Sequence, residues 1–375
     1  MAKMLKRSPH FGQHVAHGAK TFFDFAGWEM PAHFTTLEDE VRACRNDAIL
    51  FDGHAMGELH IRGRDALRAV QKLCVNDLAQ AKPGMLVYTS LCTETGGIFD
   101  DLVVFCLAPD HFLLTMAAFN THKTPGWVEK HTADMNVCVS DQSAGTTCIE
   151  IQGPKSRRIL QKIAEFDVSD EALPYYRFVH GRVAGIDSLV ARLGVTGELG
   201  YEIFYDAGYA WTMYDAFVNA GKEDGLALSG NRTIGTFRLE KVYHVYTRDV
   251  DETTNPYEAG LGWTVKLDKG EFIGRAALAE VRESGPARKL VGFEIGERPV
   301  TVAGKSPIEV GGKVIGHVTV VGFSPTLKKA IGLGYIASDH AHEGNQLTLA
   351  SDSGTLSASV VAIPFFDPKG TRIRV

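Results

Sequence analysis

Short apolar runs separated by glycines and polar turns recur along the chain, and they alternate with segments of helical periodicity. Apolar residues three and four positions apart predict helices at Arg64–Leu73, Pro154–Ile163 and Tyr209–Ala220. Runs bounded by turn residues predict strands at Gly57–Ile61, Leu102–Cys106, His111–Thr115, Cys148–Ile151 and Ser188–Leu193. The mixture predicts an α+β body without a short internal repeat.

The pattern changes near Ser284–Lys289, where the segment SGPARK predicts a linker after a helix at Arg275–Arg282. A smaller β-rich domain is expected to follow. Its predicted strands are Leu290–Glu294, Lys313–Val321, Ala330–Tyr335, Gln346–Leu349 and Leu356–Ala362. This spacing is typical of a small antiparallel barrel or of a sandwich, and the pattern does not choose between them.

Length, composition and charge indicate the number of domains and the cellular compartment. A chain of 375 residues with 45% apolar and 22% charged residues predicts a globular protein of two or three domains. The net charge of −6 provides no broad positive field, which argues against nucleic-acid binding. The basic N-terminus lacks the apolar stretch of a signal peptide, and no run of about 18 apolar residues occurs, so we expect a cytoplasmic protein without a membrane partner.

Cysteines and histidines do not form a metal-binding pattern in the sequence. The six cysteines are scattered, without a Cys-x-x-Cys pair or zinc-type spacing, and predict free thiols. His10, His14 and His17 lie at helical spacing near the start. Because no carboxylate or cysteine completes a ligand set in the sequence, we interpret them as surface histidines.

The segment Cys92–Cys106, CTETGGIFDDLVVFC, carries the first candidate chemistry. Gly96 and Gly97 predict a hairpin turn between two strands. In an extended chain Asp100 and Asp101 point to opposite faces, so only one of them can face a given pocket. An isolated segment of this type is also compatible with a solvated acidic turn.

Two further segments combine glycines, acids and aromatics. In Arg192–Phe204, RLGVTGELGYEIF, an extended chain would place Glu198 and Glu202 on the same side. A buried carboxylate suits the paired N–H donors of an aminopyrimidinone ring such as pterin. In Arg238–Lys266, a Tyr–His–Tyr group and Trp263 are compatible with a ligand pocket or with ordinary packing.

Taken in order, these segments resemble those of the glycine-cleavage T-protein family over nearly the whole chain. The matching segments are Phe25–Trp28 (FAGW) with Pro31, Leu50–Met56 (LFDGHAM), Tyr88–Thr89, Gly96–Leu102 (GGIFDDL), Ile151–Pro154 (IQGP), Gly194–Glu202 (GVTGELGYE), Arg238–Glu240 (RLE), Asn255–Trp263, Phe272–Arg275 (FIGR) and Phe323–Tyr335 (FSPTLKKAIGLGY). Each segment is short, and their common order over most of the chain carries the resemblance.

The resemblance implies a three-lobed fold around a channel that binds tetrahydrofolate. Its folate-binding body, of two interleaved subdomains, is expected over residues 1–283 and its C-terminal β-barrel domain over 289–375. The family assigns Asp101 to the reactive pterin nitrogens and Glu202 to the pterin amino edge. Met56, Tyr88 and Trp263 match positions near the cofactor, and Arg232 is a displaced counterpart of the family's pocket arginine.

Several departures from the family pattern fall where the substrate should bind. The family's FDVSHMG is FDGHAMG here, which moves a histidine to His54, and Ala117 stands at an asparagine position. GYTGE has become GVTGE with Val195. After RLE, small residues are replaced by Lys241, Tyr243 and His244.

These departures resemble those of T-protein relatives that demethylate small compounds, including dimethylglycine-type amines, dimethylsulfoniopropionate and methoxylated aromatic acids. On that basis His54 and His244 are candidate proton donors to a leaving group, alongside Asp101 as a catalytic residue. Tyr243, His244 and Tyr246 are candidate substrate-binding residues that would flank an aromatic ring.

Three hypotheses follow for function. The first, favoured by these departures, is transfer of a methyl group from a small O-, N- or S-methylated substrate to tetrahydrofolate. The second is the T-protein reaction, in which an aminomethyl-lipoyl carrier protein is the partner and ammonia and methylene-tetrahydrofolate are the products. The third is a non-catalytic folate-binding protein, against which the retention of Asp101 and Glu202 argues.

Overall fold

A computed structural model describes residues 4–351 and 354–375 of the chain. Helices in this part of the chain are short and separated by strands. The α-helices are α1 Phe11–Ala16, α2 Leu37–Asn46, α3 Ala66–Leu73, α4 Thr124–Thr132, α5 Ser156–Gln161, α6 Ala210–Gly221, α7 Asn231–Lys241 and α8 Arg275–Ser284. The predicted helices correspond to α3, α5, α6 and α8, with ends that differ by a few residues.

Strands make up most of the remaining regular structure. They are β1 Thr21–Phe25, β2 Trp28–His33, β3 Ala48–Asp52, β4 Gly57–Arg62, β5 Leu86–Cys92, β6 Ile98–Ala108, β7 His111–Met116, β8 Cys138–Asp141, β9 Thr146–Gln152, β10 Phe178–Val183, β11 Ile186–Ala191, β12 Gly200–Asp206, β13 Leu226–Leu228, β14 Arg288–Gly296, β15 Pro307–Val310, β16 Lys313–Ser324, β17 Lys329–Ala337, β18 Gln346–Ser351 and β19 Gly354–Val361. All of the predicted strands are present.

Two sheets form the body, and the chain passes between them twice. One is six-stranded with the order β10-β11-β12-β9-β3-β13, and the other is five-stranded with the order β5-β6-β7-β4-β8. Since β3 and β9 pair in the first sheet while the whole second sheet lies between them in sequence, the two subdomains are interleaved. The interleaving predicted from the family resemblance is confirmed.

An apolar layer joins the two sheets. Phe105, Leu113 and Leu86 of the second sheet pack against Phe204 and Leu189 of the first. This layer leaves Asp101 and Glu202 near the starts of β6 and β12 on one side. A cleft of about 740 Å³ lies on the other side, lined in part by the later residues Leu107 and Phe204–Asp206 of the same strands.

The turn between β5 and β6 confirms the predicted glycine hairpin. Gly96 has φ +84°, a left-handed conformation that favours glycine. At Gly97 a Cβ atom would lie 1.8 Å from the carbonyl oxygen of Glu252, so the two backbones approach too closely for a side chain. The hairpin is therefore held against the segment that leads to Trp263.

The C-terminal unit is a closed barrel with the strand order β14-β17-β16-β15-β18-β19, closed by pairing of β14 with β19. This settles the choice between barrel and sandwich. Strand β15 was missed in the sequence, because Pro307 and a single buried Ile308 give it little apolar signal. Buried apolar residues of β14, β16, β18 and β19 fill the barrel interior.

A buried ion-pair network connects the body to the C-terminal part. Arg45 binds Glu198 at 2.8 Å and also binds Glu240, while Arg372 donates to both oxygens of Glu198 at 2.8 Å. Glu198 precedes β12 rather than lying on it, so the expectation that Glu198 and Glu202 share one side of a strand was wrong. Glu198 serves this network and does not face the same surroundings as Glu202.

Of the three N-terminal histidines that the sequence suggested to be surface residues, His17 is exposed, but His10 and His14 are buried. His10 and His14 are 0% and 1% exposed and contact the carboxylate of Asp52 at 3.1 and 3.4 Å. The ring of His10 also hydrogen-bonds the Tyr205 hydroxyl at 2.6 Å. The carboxylate partner comes from β3, too far along the chain for local spacing to reveal it.

All six cysteines are free thiols, as predicted, and all lie in the described ranges. Within residues 4–351 and 354–375, no helix is long and apolar enough to cross a membrane.

Candidate functional site

Asp101 is held by an aromatic neighbour on the adjacent strand. The Tyr88 hydroxyl on β5 donates a hydrogen bond of 3.0 Å to Oδ2 of Asp101 on β6. Burial and the charge of Asp101 raise the pKa of Tyr88 well above its ordinary value, so Tyr88 remains a neutral donor. Trp263 stacks on Tyr88 with ring centroids 6.1 Å apart, and it is 61% exposed. The site therefore has a wide aromatic face that solvent can reach.

Asp100 faces the opposite side of β6, as predicted from strand alternation. Its carboxylate accepts hydrogen bonds from Nδ2 of Asn120 at 2.8 Å, from the Thr124 hydroxyl at 2.8 Å and from the Ala117 backbone N–H at 3.3 Å. Asp100 is completely buried, and burial raises its pKa to about 7. These contacts make Asp100 a structural residue that fixes β6 and the chain after β7.

The loop after α7 brings His244 towards Asp101. Two non-glycine residues of this loop, Val242 and Thr247, have left-handed φ values of +59° and +70°. Such conformations are unfavourable for β-branched residues and persist where the surroundings hold them. Asp249 supplies that support, because it binds Arg238 of α7 and accepts hydrogen bonds of 2.8 Å from Thr319 and 2.9 Å from the Val245 backbone.

The hydrogen bond of His244 fixes the tautomer of its ring. Nε2 lies 3.0 Å from the carbonyl oxygen of Ala259. Because a carbonyl only accepts hydrogen bonds, Nε2 carries a proton, and Nδ1 is the nitrogen that can accept a further proton or hydrogen bond. Burial raises the pKa of Asp101, and the nearby His244 together with the Tyr88 hydrogen bond partly offsets that increase. His244 and Asp101 are thus electrostatically linked across the site.

The two tyrosines near His244 have different surroundings. Tyr246 is buried, accepts a hydrogen bond of 2.7 Å from Nζ of Lys123 and lies 3.3 Å from Glu252. Its hydroxyl therefore belongs to a polar cluster with Lys123. Tyr243 is half-buried, and burial raises its pKa, with the charge of Asp367 as a smaller contribution. Lys241 donates to backbone carbonyls of the C-terminal segment at 2.8 and 3.2 Å and does not line the Asp101 site.

Glu202 lies deep at the subdomain interface, next to a second carboxyl. On the antiparallel ladder it is directly opposite Glu150 of β9, and the two residues are 4% and 2% exposed. Burial raises the pKa of both carboxyls. In the described ranges no side chain or backbone N–H donates a hydrogen bond to the side-chain carboxyl of Glu202. Its acceptor oxygens are therefore available to a ligand with N–H donors.

Three other predicted site residues have surroundings of their own. His54 is 3% exposed, its backbone N–H donates to Asp52 at 2.9 Å, and its ring packs edge-on against Trp28 at 4.6 Å. Met56 is half-buried in the turn before β4. Arg232 is exposed on α7, with its guanidinium 5.1 Å from the Phe23 ring centroid. Neither His54 nor Arg232 contacts Asp101, Tyr88 or Glu202 in the described structure.

Sequence reasoning did not find two residues beside the site. Glu150 would have required knowledge of the β9–β12 pairing, which no local pattern gives. Tyr176 lies near Glu202 and Tyr243, and it has φ +62°, an unusual value for a bulky residue. The only signal for Tyr176 was the aromatic pair Tyr175–Tyr176 after Pro174.

Comparison with known proteins assigns both parts of the chain to one family. The family model described as the GCVT N-terminal domain matches residues 10–269, and the model of the glycine cleavage T-protein C-terminal barrel domain matches 288–367. A protein of Halothermothrix orenii named aminomethyltransferase is 39% identical over 361 residues, which cover 96% of this chain and 100% of that protein. The aminomethyltransferase of Thermotoga maritima is 39% identical over 363 residues, covering 96% and 98%.

A solved structure shows the same fold. The glycine cleavage system aminomethyltransferase T of Bartonella henselae superimposes with a TM-score of 0.90 at 27% identity, covering 97% of this chain and 99% of that one. The family models together span most of the chain, and the relatives match over nearly their full lengths. This chain belongs to the glycine cleavage T-protein family of tetrahydrofolate-dependent enzymes.

Proposed function

We propose that this enzyme is an aminomethyltransferase, which passes a one-carbon unit from an aminomethyl-lipoyl carrier protein to tetrahydrofolate and releases ammonia. The relatives that bear this name are 36–40% identical over nearly the whole chain. They support this hypothesis over the demethylase that the sequence departures favoured. The observation that carries the proposal is the grouping of Asp101, Tyr88, Trp263 and His244 on one side of the inter-sheet layer.

The residues present fit a reduced folate. The carboxyl of Glu202 is buried with free acceptor capacity, which suits the amino and ring N–H donors of a pterin edge. Trp263 and Tyr88 offer stacked aromatic surface for the flat part of such a ligand. Tetrahydrofolate supplies the nucleophilic nitrogens that take up the one-carbon unit.

The protein residues supply orientation and proton handling. Asp101 is fixed by the hydrogen bond from Tyr88, so its free oxygen can stabilise positive charge or hold a proton at Oδ1. His244 is fixed by the Ala259 carbonyl, and no residue of the described ranges hydrogen-bonds its Nδ1, so Nδ1 can accept a proton and later return it. Preorganisation of both groups stabilises charge without a large rearrangement during the reaction. We place this reaction in the cytoplasm, where the six free thiols would remain reduced.

Demethylation of a small O-, N- or S-methylated donor is the second candidate. The structure gives one specific reason to keep it, which is the position of the His244 imidazole close to Asp101. A positioned imidazole is useful for a leaving group that needs a proton. The other bulky replacements favour this candidate less, because Lys241 and the Tyr246 hydroxyl bind protein groups.

A product analysis distinguishes the two reactions. Purified enzyme and tetrahydrofolate are incubated either with aminomethylated lipoyl carrier protein or with small methylated donors in the absence of a carrier. Methylene-tetrahydrofolate and ammonia from the carrier alone would support the proposal. Methyl-tetrahydrofolate from a small donor, with no turnover of the carrier, would overturn it in favour of demethylation.

The Asp101→Asn variant is the matched control for that experiment. Any product that forms at the same rate with this variant does not arise at the described site. Because asparagine preserves size and loses the charge, the control separates chemistry at Asp101 from background reaction of tetrahydrofolate.

A further inference from the structure

We propose that Glu150 is a positioning residue that keeps the proton of a buried carboxyl pair, so that Glu202 alone is the anion that meets the folate. This inference rests on the proposed role of Glu202 and adds a second residue to it. The two residues occupy directly opposite positions on β9 and β12, and both are almost completely buried. Opposite side chains on antiparallel strands have Cβ atoms about 5 Å apart.

Two negative charges at this position would be unfavourable. No lysine, arginine or histidine of the described ranges forms an ion pair or a hydrogen bond with either carboxyl. The ionisable groups that lie close to the pair are a carboxyl, a thiol and a phenol, namely Asp52 at the end of β3, Cys148 on β9 and Tyr176 before β10. Glu58 on β4 lies close to Cys148. Adjacent carboxyls without a cation share a proton over part of the pH range.

The surroundings decide which carboxyl keeps the proton. Burial raises the pKa of Glu150, and the charges of Glu202 and Asp52 raise it further. Asp52 is ionised because His10, His14 and His54 lower its pKa below the ordinary value despite burial. Burial is the cause that raises the pKa of Glu202, to about 8.

One contact favours the opposite arrangement. Nε2 of Gln152 donates a hydrogen bond of 2.7 Å to Oε2 of Glu150, which stabilises an ionised Glu150. The other end of Gln152 is already committed, since its oxygen accepts from the Thr196 hydroxyl at 2.6 Å and from two backbone N–H groups. The repulsion between Glu150 and Glu202 acts on both carboxyls alike, so the negative charge of Asp52, which acts on Glu150, is the asymmetric contribution. A single neutral donor is weaker than such a charge in a buried site, so the proton remains on Glu150.

A two-sided pH dependence of folate binding follows. Below about pH 8 free Glu202 is protonated, so binding of N–H donors requires loss of its proton and the affinity increases as pH rises. At higher pH Glu150 also ionises, and binding then requires uptake of a proton, so the affinity decreases. We call the increase of affinity at lower pH the acidic limb and the decrease at higher pH the alkaline limb. Each limb approaches a tenfold change in Kd per pH unit when one proton is exchanged.

The test measures binding of 5-formyltetrahydrofolate, a stable reduced folate, from about pH 5 to about pH 10, a range that extends from just above the ordinary carboxyl pKa to well above the raised pKa of about 8. Calorimetry in buffers of different ionisation enthalpy counts the protons exchanged. We expect Glu150→Gln to retain the affinity at neutral pH within about twofold and to lose the alkaline limb, because glutamine resembles a permanently protonated acid. Glu202→Gln should lose the acidic limb and bind at least tenfold more weakly.

Glu58→Gln is the matched control, since Glu58 is 1% exposed and lies on the other sheet, away from the position opposite Glu202. It should retain both limbs. An unchanged alkaline limb in Glu150→Gln would overturn the role of Glu150, while the proposed function stands if Glu202→Gln binds weakly. Wild-type affinity in Glu202→Gln would instead overturn the role of Glu202. If Glu150→Gln does not fold, absence of proton uptake by the wild-type protein at alkaline pH would overturn the inference.

Discussion

The Tyr88 hydroxyl donates a hydrogen bond of 3.0 Å to Oδ2 of Asp101, across the pairing of β5 with β6. This bond stabilises the ionised carboxylate, while burial acts in the opposite direction and raises the pKa of Asp101. The balance keeps one oxygen of Asp101 fixed and the other free to act on a bound ligand. It also makes the activity depend on the hydroxyl of Tyr88 in addition to its ring.

Tyr88→Phe removes that hydrogen bond and should raise the pKa of Asp101. We expect activity to decrease about tenfold, with the acidic limb of kcat/KM displaced to higher pH, because a lost hydrogen bond to a charged group costs about 1.5 kcal/mol or more. Tyr257→Phe is the control, since the buried Tyr257 hydroxyl has no hydrogen-bond partner in the described structure. Equal pH profiles of Tyr88→Phe and the wild type would contradict this role.

The adjacent aspartates should respond to the same substitution in opposite ways. Asp101→Asn is expected to fold normally and to lose activity by about 100-fold or more, a typical effect of removing a group that handles protons. Asp100→Asn should retain activity per folded molecule and lower the melting temperature, because an amide cannot accept all three hydrogen bonds that Asp100 receives. Thermal melts and turnover measured on the same preparations check both outcomes. Loss of activity in Asp100→Asn without loss of stability would contradict the assignment.

These two residues also show what the sequence reveals. Strand alternation places Asp100 and Asp101 on opposite faces, and glycines mark the hairpin that precedes them, so local rules predicted this geometry, while the choice of Asp101 for the site came from the family resemblance. Long-range pairing determined the rest. Glu150 meets Glu202 only because β9 pairs with β12, and Asp52 meets His10 and His14 only because the N-terminal segment packs on β3. Periodicity within one segment does not contain that information.

Substitutions of the two candidate proton donors, His244 and His54, are expected to have different effects. His244→Ala should lower kcat with little change in melting temperature, because the half-buried ring makes a single hydrogen bond to Ala259 and lies near Asp101. His54→Ala should lower the melting temperature with little effect on kcat per folded molecule, because the buried ring packs on Trp28. Differential scanning calorimetry and turnover numbers check the pair. A selective loss of kcat in His54→Ala would return His54 to the catalytic group.

The buried His14 should make the stability of the folded protein sensitive to mild acid. Burial lowers the pKa of His14 to about 4, with Asp52 opposing the decrease, so the ring is neutral in the folded protein at pH values where it is protonated in the unfolded chain. A group with a lowered folded pKa contributes stability above the unfolded value of about 6.5, and that stability is lost as pH falls towards 4. The free energy of unfolding should therefore decrease between these values, by at most about 3 kcal/mol from His14 alone.

His14→Gln should reduce the slope of stability against pH in that interval, as measured by urea unfolding at several pH values. His17→Gln is the control, because His17 is about one-third exposed and lies 3.6 Å from a half-exposed Asp215. A His14→Gln protein that loses stability as steeply as the wild type over this interval would contradict a neutral, buried His14.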